Sequence, residues 1–426
     1  MRMNLALGAL AAGNLVVGLL LQWYVVTRLG IGVPTDALFA GMVVPQLVLT
    51  ILGGSLVHVL VPLLSGEGEA GFREAAWGFV LAVTALFSVI AIVLFVTASF
   101  WIGLILPGFS SSARLLTVEL TRIQLIGMIF TAAISVLWSA CYARGQFFRA
   151  EIAPLIASVV VLAFLIPALP RFGVRAAAWA SVARTAIPAL FLLPALGRWH
   201  KPRVRSATTR EGWRRLRPLL LGSVYYKTDP LVDRYLSSMA PSGGLSLFYL
   251  GQQIWAAGGQ IINKAIAAPM VPLLAVHAKA GDWKGFRSSF RRRLFWMTGL
   301  TVAALLLFAA IGGPVLRLLI GHGGVTAENV VSLRRVMLGL CGVLIGGSIG
   351  QVTSTSFYAY GDTRTPTRLG VWTYTIFLPV KVLAFFSFGL IGLAVATSVY
   401  YFANLFLQIG FLERKLGALQ AEPALP

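Results

Sequence analysis

Runs of about twenty apolar residues recur from Leu5 almost to the end of the chain, and every other feature has to be compatible with them. A helix of that length crosses the ~30 Å hydrocarbon layer of a bilayer. Hydrocarbon offers no water to backbone N–H and C=O groups, so a crossing segment must satisfy them within itself. Composition agrees: 58% of the 426 residues are apolar and only 12% are charged. Mean hydropathy is +0.84, well above that of a soluble globular chain. The chain therefore reads as an all-α polytopic membrane protein. Its first apolar run is too long for a cleaved signal, has no small-residue cleavage site, and reads as the first spanning helix.

Gly, Pro and charge divide the sequence into twelve expected spans. The first six lie near 5–28, 36–64, 76–100, 118–142, 150–170 and 175–196. The second six lie near 218–240, 245–276, 294–319, 332–359, 369–388 and 391–412. The 36–64 and 245–276 spans exceed the bilayer thickness and must tilt, kink or protrude.

Net charge is +21. Residues 198–217 hold eight Lys or Arg against Glu211, and residues 277–293 hold six against Asp282. With twelve spans both segments fall on one side, which the positive-inside rule makes cytoplasmic, together with both termini. Anionic lipid head groups suffice as partners for this charge. No aromatic-basic reading surface accompanies it, so no nucleic-acid partner is expected. Cys141 and Cys341 read as inert thiols in apolar helices. The histidines at 58, 200, 277 and 322 have no metal-ligand spacing, and neither a catalytic triad nor a Walker lysine occurs. No metal site, cofactor or enzymatic activity is expected, and transport energy has to come from a gradient, a potential or substrate flux.

The sequence is written twice. Val61-Pro62-Leu63-Leu64 returns as Val271-Pro272-Leu273-Leu274, and Gly71-Phe72-Arg73 as Gly285-Phe286-Arg287. Tyr142-Ala143-Arg144-Gly145 returns as Tyr358-Ala359-Tyr360-Gly361, and Leu38-Phe39 as Leu247-Phe248. The offsets are 210, 214, 216 and 209, in the same order along both halves. This is a tandem repeat of six helices. Six is even, so both copies insert with one orientation, and parallel repeats belong to transporters. The expected organisation is an N-terminal lobe at 1–197, a basic linker at 198–217, a C-terminal lobe at 218–415 and a tail at 416–426. Gly361 reads as a helix C-cap, with Asp362 and Thr365-Pro366 opening the next helix.

Ionisable groups inside spans cost roughly 2.5–3.5 kcal/mol at the bilayer centre and mark functional candidates. Helix seven is richest, with Lys227, Asp229, Asp233 and Arg234 around Pro230. Asp229 and Asp233 share one face, Lys227 and Arg234 another. Pro230 is expected to kink the helix and free a carbonyl. These charges read either as interhelical salt bridges or as a substrate or coupling-ion site. Counting the rise from Pro218 and Arg368 puts Asp229, Asp233 and Lys381 at nearly one depth, so Lys381 is expected to pair with one of the two aspartates. Asp36 opens helix two as a cap or as a group at a cavity mouth. Lys264, Arg184 and Arg122 are further cations in apolar runs, and His58 reads as a packing histidine.

"TDALFAGMVVPQL" (35–47), "VPLL" (61–64), "DPLVDRYLSS" (229–238) and "FYAYGDTRTPTRLG" (357–370) resemble the MurJ/MviN lipid II flippases of the MOP exporter superfamily. The resemblance implies two six-helix lobes in a V-shaped bundle, and alternating access that carries a lipid-linked saccharide outward across the inner membrane. It implies cavity cations in helices one, two and eight. There this chain offers Gln46 and the Gln252-Gln253 pair instead, leaving Lys227, Arg234 and Lys264 to supply the positive potential for a pyrophosphate. A monomer is expected. The rival readings are a gradient-coupled multidrug antiporter of the same superfamily and a membrane-embedded glycan-assembly enzyme.

Overall fold

A computed structural model describes residues 2–53, 56–199, 214, 225–266 and 270–421. All regular structure among these residues is helical. Nine helices among them are long and apolar enough to cross a membrane, and the ninth, Arg364–Ala421, is two helices joined at Gly389. Each of the twelve expected spans has a helix at its position, the seventh being represented by Asp229–Ser238. The basic linker at 198–217 lies outside the described residues apart from residues 198, 199 and 214. The chain forms two compact units, residues 1–243 with 323–325 and residues 244–322 with 326–426.

Apolar side chains lie both inside and outside. Phe72, Phe79 and Phe87 of helix Glu69–Val96 are fully buried in the first unit, while Val89, Ile92 and Val96 on its other faces are exposed. In helix Trp283–Ile320 only 11% of the most apolar stretch is buried. A helix that is apolar around its whole circumference but packed on one side needs hydrocarbon on the other. The protein is a multi-pass membrane protein.

The repeat extends to individual hydrogen bonds. After helix Ser111–Ala143, Gly145 N–H donates to Tyr142 O (3.1 Å) and Gln146 N–H to Cys141 O (2.8 Å). After helix Cys341–Ala359, Gly361 N–H donates to Tyr358 O (3.0 Å) and Asp362 N–H to Phe357 O (3.0 Å). Both are Schellman ends, and both turn on a glycine at positive φ, 68° at Gly145 and 87° at Gly361. The residue before each glycine covers the buried phenylalanine of the Gly-Phe-Arg motif. Arg144 stacks its guanidinium on the Phe72 ring at 3.9 Å, and Tyr360 meets Phe286 edge-on at 6.1 Å.

The structure also moves several expected boundaries. The third span begins at Glu69 and breaks at Thr97 before Ala98–Ile105. The fourth begins at Ser111, where Ser110 Oγ accepts from Ala113 N–H. The connection between the eleventh and twelfth expected spans is one residue, Gly389 (φ 60°, ψ −144°). Its counterpart 216 residues earlier is Gly173 (φ 56°, ψ −141°), between Phe147–Phe172 and Val174–Leu192. The Phe-Gly pairs at 172–173 and 388–389 are thus a further repeat signal. Such a positive-φ backbone, open essentially to glycine alone, costs an L-residue roughly 1–3 kcal/mol. Gly173→Ala and Gly389→Ala are each expected to lower stability by about that amount, although a Cβ there meets open space, as thermal unfolding in detergent will measure.

The turn at 360–365 is pinned by charge. Asp362 Oδ1 accepts from Arg364 N–H (3.1 Å) and Thr365 N–H (2.9 Å), while Oδ2 accepts from Thr365 Oγ1 (2.6 Å) and pairs with Lys415. Burial pushes this carboxyl up, but the hydrogen bonds from Lys415 and Thr365 outweigh it and hold Asp362 at about 2. The depressed value means that the stabilisation is complete above the unfolded value of 3.8 and is lost as pH falls toward 2. The stability difference between the native chain and Asp362→Asn is expected to be level above about pH 5 and to shrink toward zero by about pH 2. Thermal unfolding at stepped pH checks it.

Candidate functional site in the first unit

The second span meets its excess length by breaking. Gly32 N–H donates to Thr35 Oγ1 (3.1 Å) at the start of helix Val33–Gly41, with Pro34 in its first turn. Pro45 has no N–H to give, and the helix ends at Gly41 before resuming as Val43–Val48. The buried Gln124 of helix Ser111–Ala143 donates its Nε2 to Leu38 O at 3.1 Å, which satisfies a carbonyl beside the break. Gly41 is required there: a Cβ would lie 2.7 Å from Thr121 Oγ1 and 2.9 Å from Gln124 Oε1. A π-helical turn, Leu49–Gly53, follows, and Leu56–Ser65 completes the element. Within it Thr50 Oγ1 donates to Gln46 O at 2.8 Å, and Gln46 and Thr50 are both exposed.

Lys227 reaches this irregular stretch, donating from Nζ to Thr50 O at 3.0 Å across 177 residues of sequence. A cation thus sits on a main-chain carbonyl of the π turn. Discontinuous helices with unwound carbonyls are where transporters build binding sites. Pro230 lies in the first turn of Asp229–Ser238, directly after a 3-10 turn, Tyr226–Thr228, so the α-helical hydrogen bonding is interrupted beside it. A missing N–H costs nothing where the helix has no acceptor for it.

Helix Asp229–Ser238 belongs to the first unit and packs against Val43–Val48 and Ala98–Ile105. Asp233 (1% exposed) and Arg234 (4%) are buried, and Asp229 is half-buried at the N-terminus. The contact is backbone to backbone at Gly108, where a Cβ would lie 2.3 Å from Ser238 O. Asp36 is also buried, and its Oδ2 accepts from Gly243 N–H at 2.6 Å, tying the start of the second span to the turn after Asp229–Ser238. Asp36, Gln46, Lys227, Asp229, Asp233 and Arg234 thus all belong to one unit.

The other predicted residues fall elsewhere. Gln252 and Gln253 are half-buried in Gly244–Ile266 of the second unit. Lys264 is in that helix, with its side chain outside the described set, as is that of His58. Lys381 is 1% exposed in the second unit, with Nζ 5.4 Å from the centre of the Tyr400 ring. Arg122 donates to Phe95 O at 3.3 Å and lies over its ring. Arg184, isolated in the sequence, has company in the fold: its Nε donates to Ser158 Oγ (3.2 Å), which in turn donates to Asn14 Oδ1 (3.1 Å). Gly18 makes room for it, since a Cβ there would lie 2.6 Å from the guanidinium. Arg184 is itself exposed, about 15 Å along helix Val174–Leu192. Contacts across 26 and 144 residues leave no local signal by which sequence could group these three.

The family model of the lipid II flippase MurJ matches residues 25–424. The chain belongs to the MurJ family. Among MurJ relatives, the probable lipid II flippase of Bdellovibrio bacteriovorus is 22% identical over 397 residues, covering 89% of this chain and 76% of its own. That of Synechocystis is 23% identical over 441 residues, covering 95% and 80%. A solved lipid II flippase MurJ in an inward closed conformation superposes with a TM-score of 0.82 at 15% identity, over 97% of this chain and 89% of that one. An inward-facing multidrug resistance MATE transporter of the MOP superfamily gives 0.77 at 16% identity, over 98% and 96%. At these identities the structures establish the MOP fold alone.

In this MurJ-family chain the close approach at Gly108 holds the seventh span on the first unit. Gly108→Ala is expected to displace Asp229–Ser238 at a cost of about 1–3 kcal/mol, the range for overpacked sites. Faster hydrogen exchange across 229–238, with helix Ser111–Ala143 unchanged, will check it.

Proposed function

We propose that the chain is a flippase that moves a lipid-linked saccharide to the outer leaflet of the inner membrane by alternating access, with both termini cytoplasmic. Membership of the lipid II flippase family over residues 25–424 is the observation that carries this reading. It acts as a transporter and makes or breaks no covalent bond in its cargo. The basic runs at 198–217 and 277–293 support the orientation, being separated by an even number of spans.

The first unit supplies chemistry suited to a pyrophosphate. Lys227 bonds a neutral carbonyl, and a phosphate oxygen makes the stronger, charge-assisted partner for an ammonium. A diphosphate that takes the Lys227 ammonium releases Thr50 O and so couples cargo to the π turn of the second span. Arg184 is exposed at mid-span, where facing lipid would cost on the order of 2.5–3.5 kcal/mol. It therefore serves a watery face open to a charged head group, with Ser158 fixing the fork. Gln46, beside Thr50, offers an uncharged amide to a sugar.

Complementation of a strain depleted of its lipid II flippase tests the function directly: growth is expected with the native chain. Lys227→Met is expected to abolish rescue at unchanged membrane abundance and Lys227→Arg to restore part of it. Full rescue by Lys227→Met together with Arg184→Gln overturns the assignment of these cations to the cargo.

A further inference from the structure

The second unit has a cationic cavity that plays no part in the reading above. It lies between the last turns of helix Trp283–Ile320 and helix Ala327–Gly339, with a volume of about 800 Å³. That is within the roughly 300–1,000 Å³ usual for small-ligand sites. Arg317, Arg334, Arg335 and His322 supply its polar wall, and Pro314 and Leu318 are among its apolar lining. Among the described residues no carboxylate lines it; the nearest acid in sequence, Glu328, is in the first turn of Ala327–Gly339.

The arginines differ in how they are held. Arg334 is turned inward: Nη2 donates to Ala309 O at 2.8 Å, near the helix turn that contains Pro314. Its Nε is buried and has no hydrogen-bond partner among the described residues. Arg317 and Arg335 are exposed, and neither guanidinium has an ion pair or hydrogen bond among the described residues. Three guanidinium groups around one cavity repel one another unless an anion joins them, and phosphate oxygens match their planar forks.

The duplicated scaffold provides an internal control. Positions 334 and 335 correspond, 216 residues earlier, to Val118 and Glu119. Glu119 makes an ion pair with Arg175. One copy of the fold therefore puts an acid where the other puts a base, so the arginines are not a requirement of the helix packing. The surroundings point to a lipid. Leu318 is 80% exposed, and Ile311, Val315 and Val331 on the same two helices are exposed apolar residues. The cavity lies at the end of its span opposite the basic 277–293 segment.

We propose that this cavity binds the phosphate head group of an anionic phospholipid, its acyl chain lying along Ile311, Val315 and Leu318. Guanidinium forks match the planar oxygen pairs of a phosphate head group. Occupancy joins the end of the ninth span to the start of the tenth, so the bound lipid acts as a clip within the second unit.

Native mass spectrometry of the purified, delipidated full chain tests this with added phosphatidylglycerol or phosphatidylcholine. Phosphatidylglycerol is expected to bind at least about tenfold more tightly than phosphatidylcholine, and Arg317→Gln with Arg335→Gln to abolish that preference. Arg171→Gln, which removes an exposed arginine at the end of Phe147–Phe172, is the control for charge alone and is expected to leave it intact. Equal binding of the two lipids, an intact preference in the double variant, or its loss in Arg171→Gln overturns the site. Displacement of the lipid by millimolar inorganic phosphate overturns the lipid in favour of a free anion. Photoreactive phosphatidylglycerol on the native chain gives a readout that needs no variant: labelling within 311–338 supports the cavity, and labelling only elsewhere refutes it.

Discussion

Every backbone N–H and C=O that crosses hydrocarbon needs a partner from the protein itself, and this requirement shapes the chain more than any side-chain contact. It makes each span a helix and restricts irregular backbone to places where another group repairs it. The second span shows the repair in detail. Pro45 removes a donor, Gln124 supplies one to Leu38 O, and Lys227 bonds Thr50 O within the π turn. Without Gln124 the buried Leu38 O would lack a partner, at a cost of about 1–3 kcal/mol. The break that gives the first unit its polar character is therefore held by residues far away in sequence.

Duplication explains which features recur and which differ. The Schellman ends at Gly145 and Gly361 and the single-residue reversals at Gly173 and Gly389 recur because they are backbone solutions to one geometric problem, the reversal of a spanning helix. Side chains at equivalent places have diverged. Position 144 covers Phe72 with a guanidinium, whereas position 360 covers Phe286 with a phenol. Gln146 opens its helix with no side-chain cap, whereas Asp362, its counterpart, caps the next helix and pairs with Lys415. Glu119 and Arg335 invert the charge at one site. The scaffold was fixed once and the chemistry was added to each copy separately.

The charged residues follow one logic. Where an ion lies within a span it is buried with its surroundings arranged for it, as Lys381 is against Tyr400, or it lies exposed on a face that must be watery, as Arg184 does. Asp36 belongs to the first kind, because a buried carboxylate that accepts Gly243 N–H ties two distant turns together. The flippase reading draws on the second kind, since only an ion open to water or cargo is free to exchange partners during transport.

The sequence alone determined the membrane class, the number and order of the spans, the six-helix repeat and the family, because apolar length, turn residues and motif offsets are local and survive without a fold. It determined less about the site. Pro230 reads as lying within a continuous span, and only the 3-10 turn at Tyr226–Thr228 places it in the first turn of a helix. Gly173 and Gly389 leave no mark on hydropathy, because one residue of positive φ does not break the apolar pattern. Lys227 meeting Thr50, Ser158 joining Arg184 to Asn14, and Arg334 turning to Ala309 were decided by tertiary structure. A polar group in hydrocarbon takes whichever partner the packing brings within 3 Å or so, and that choice is made between helices, where sequence separation carries no information.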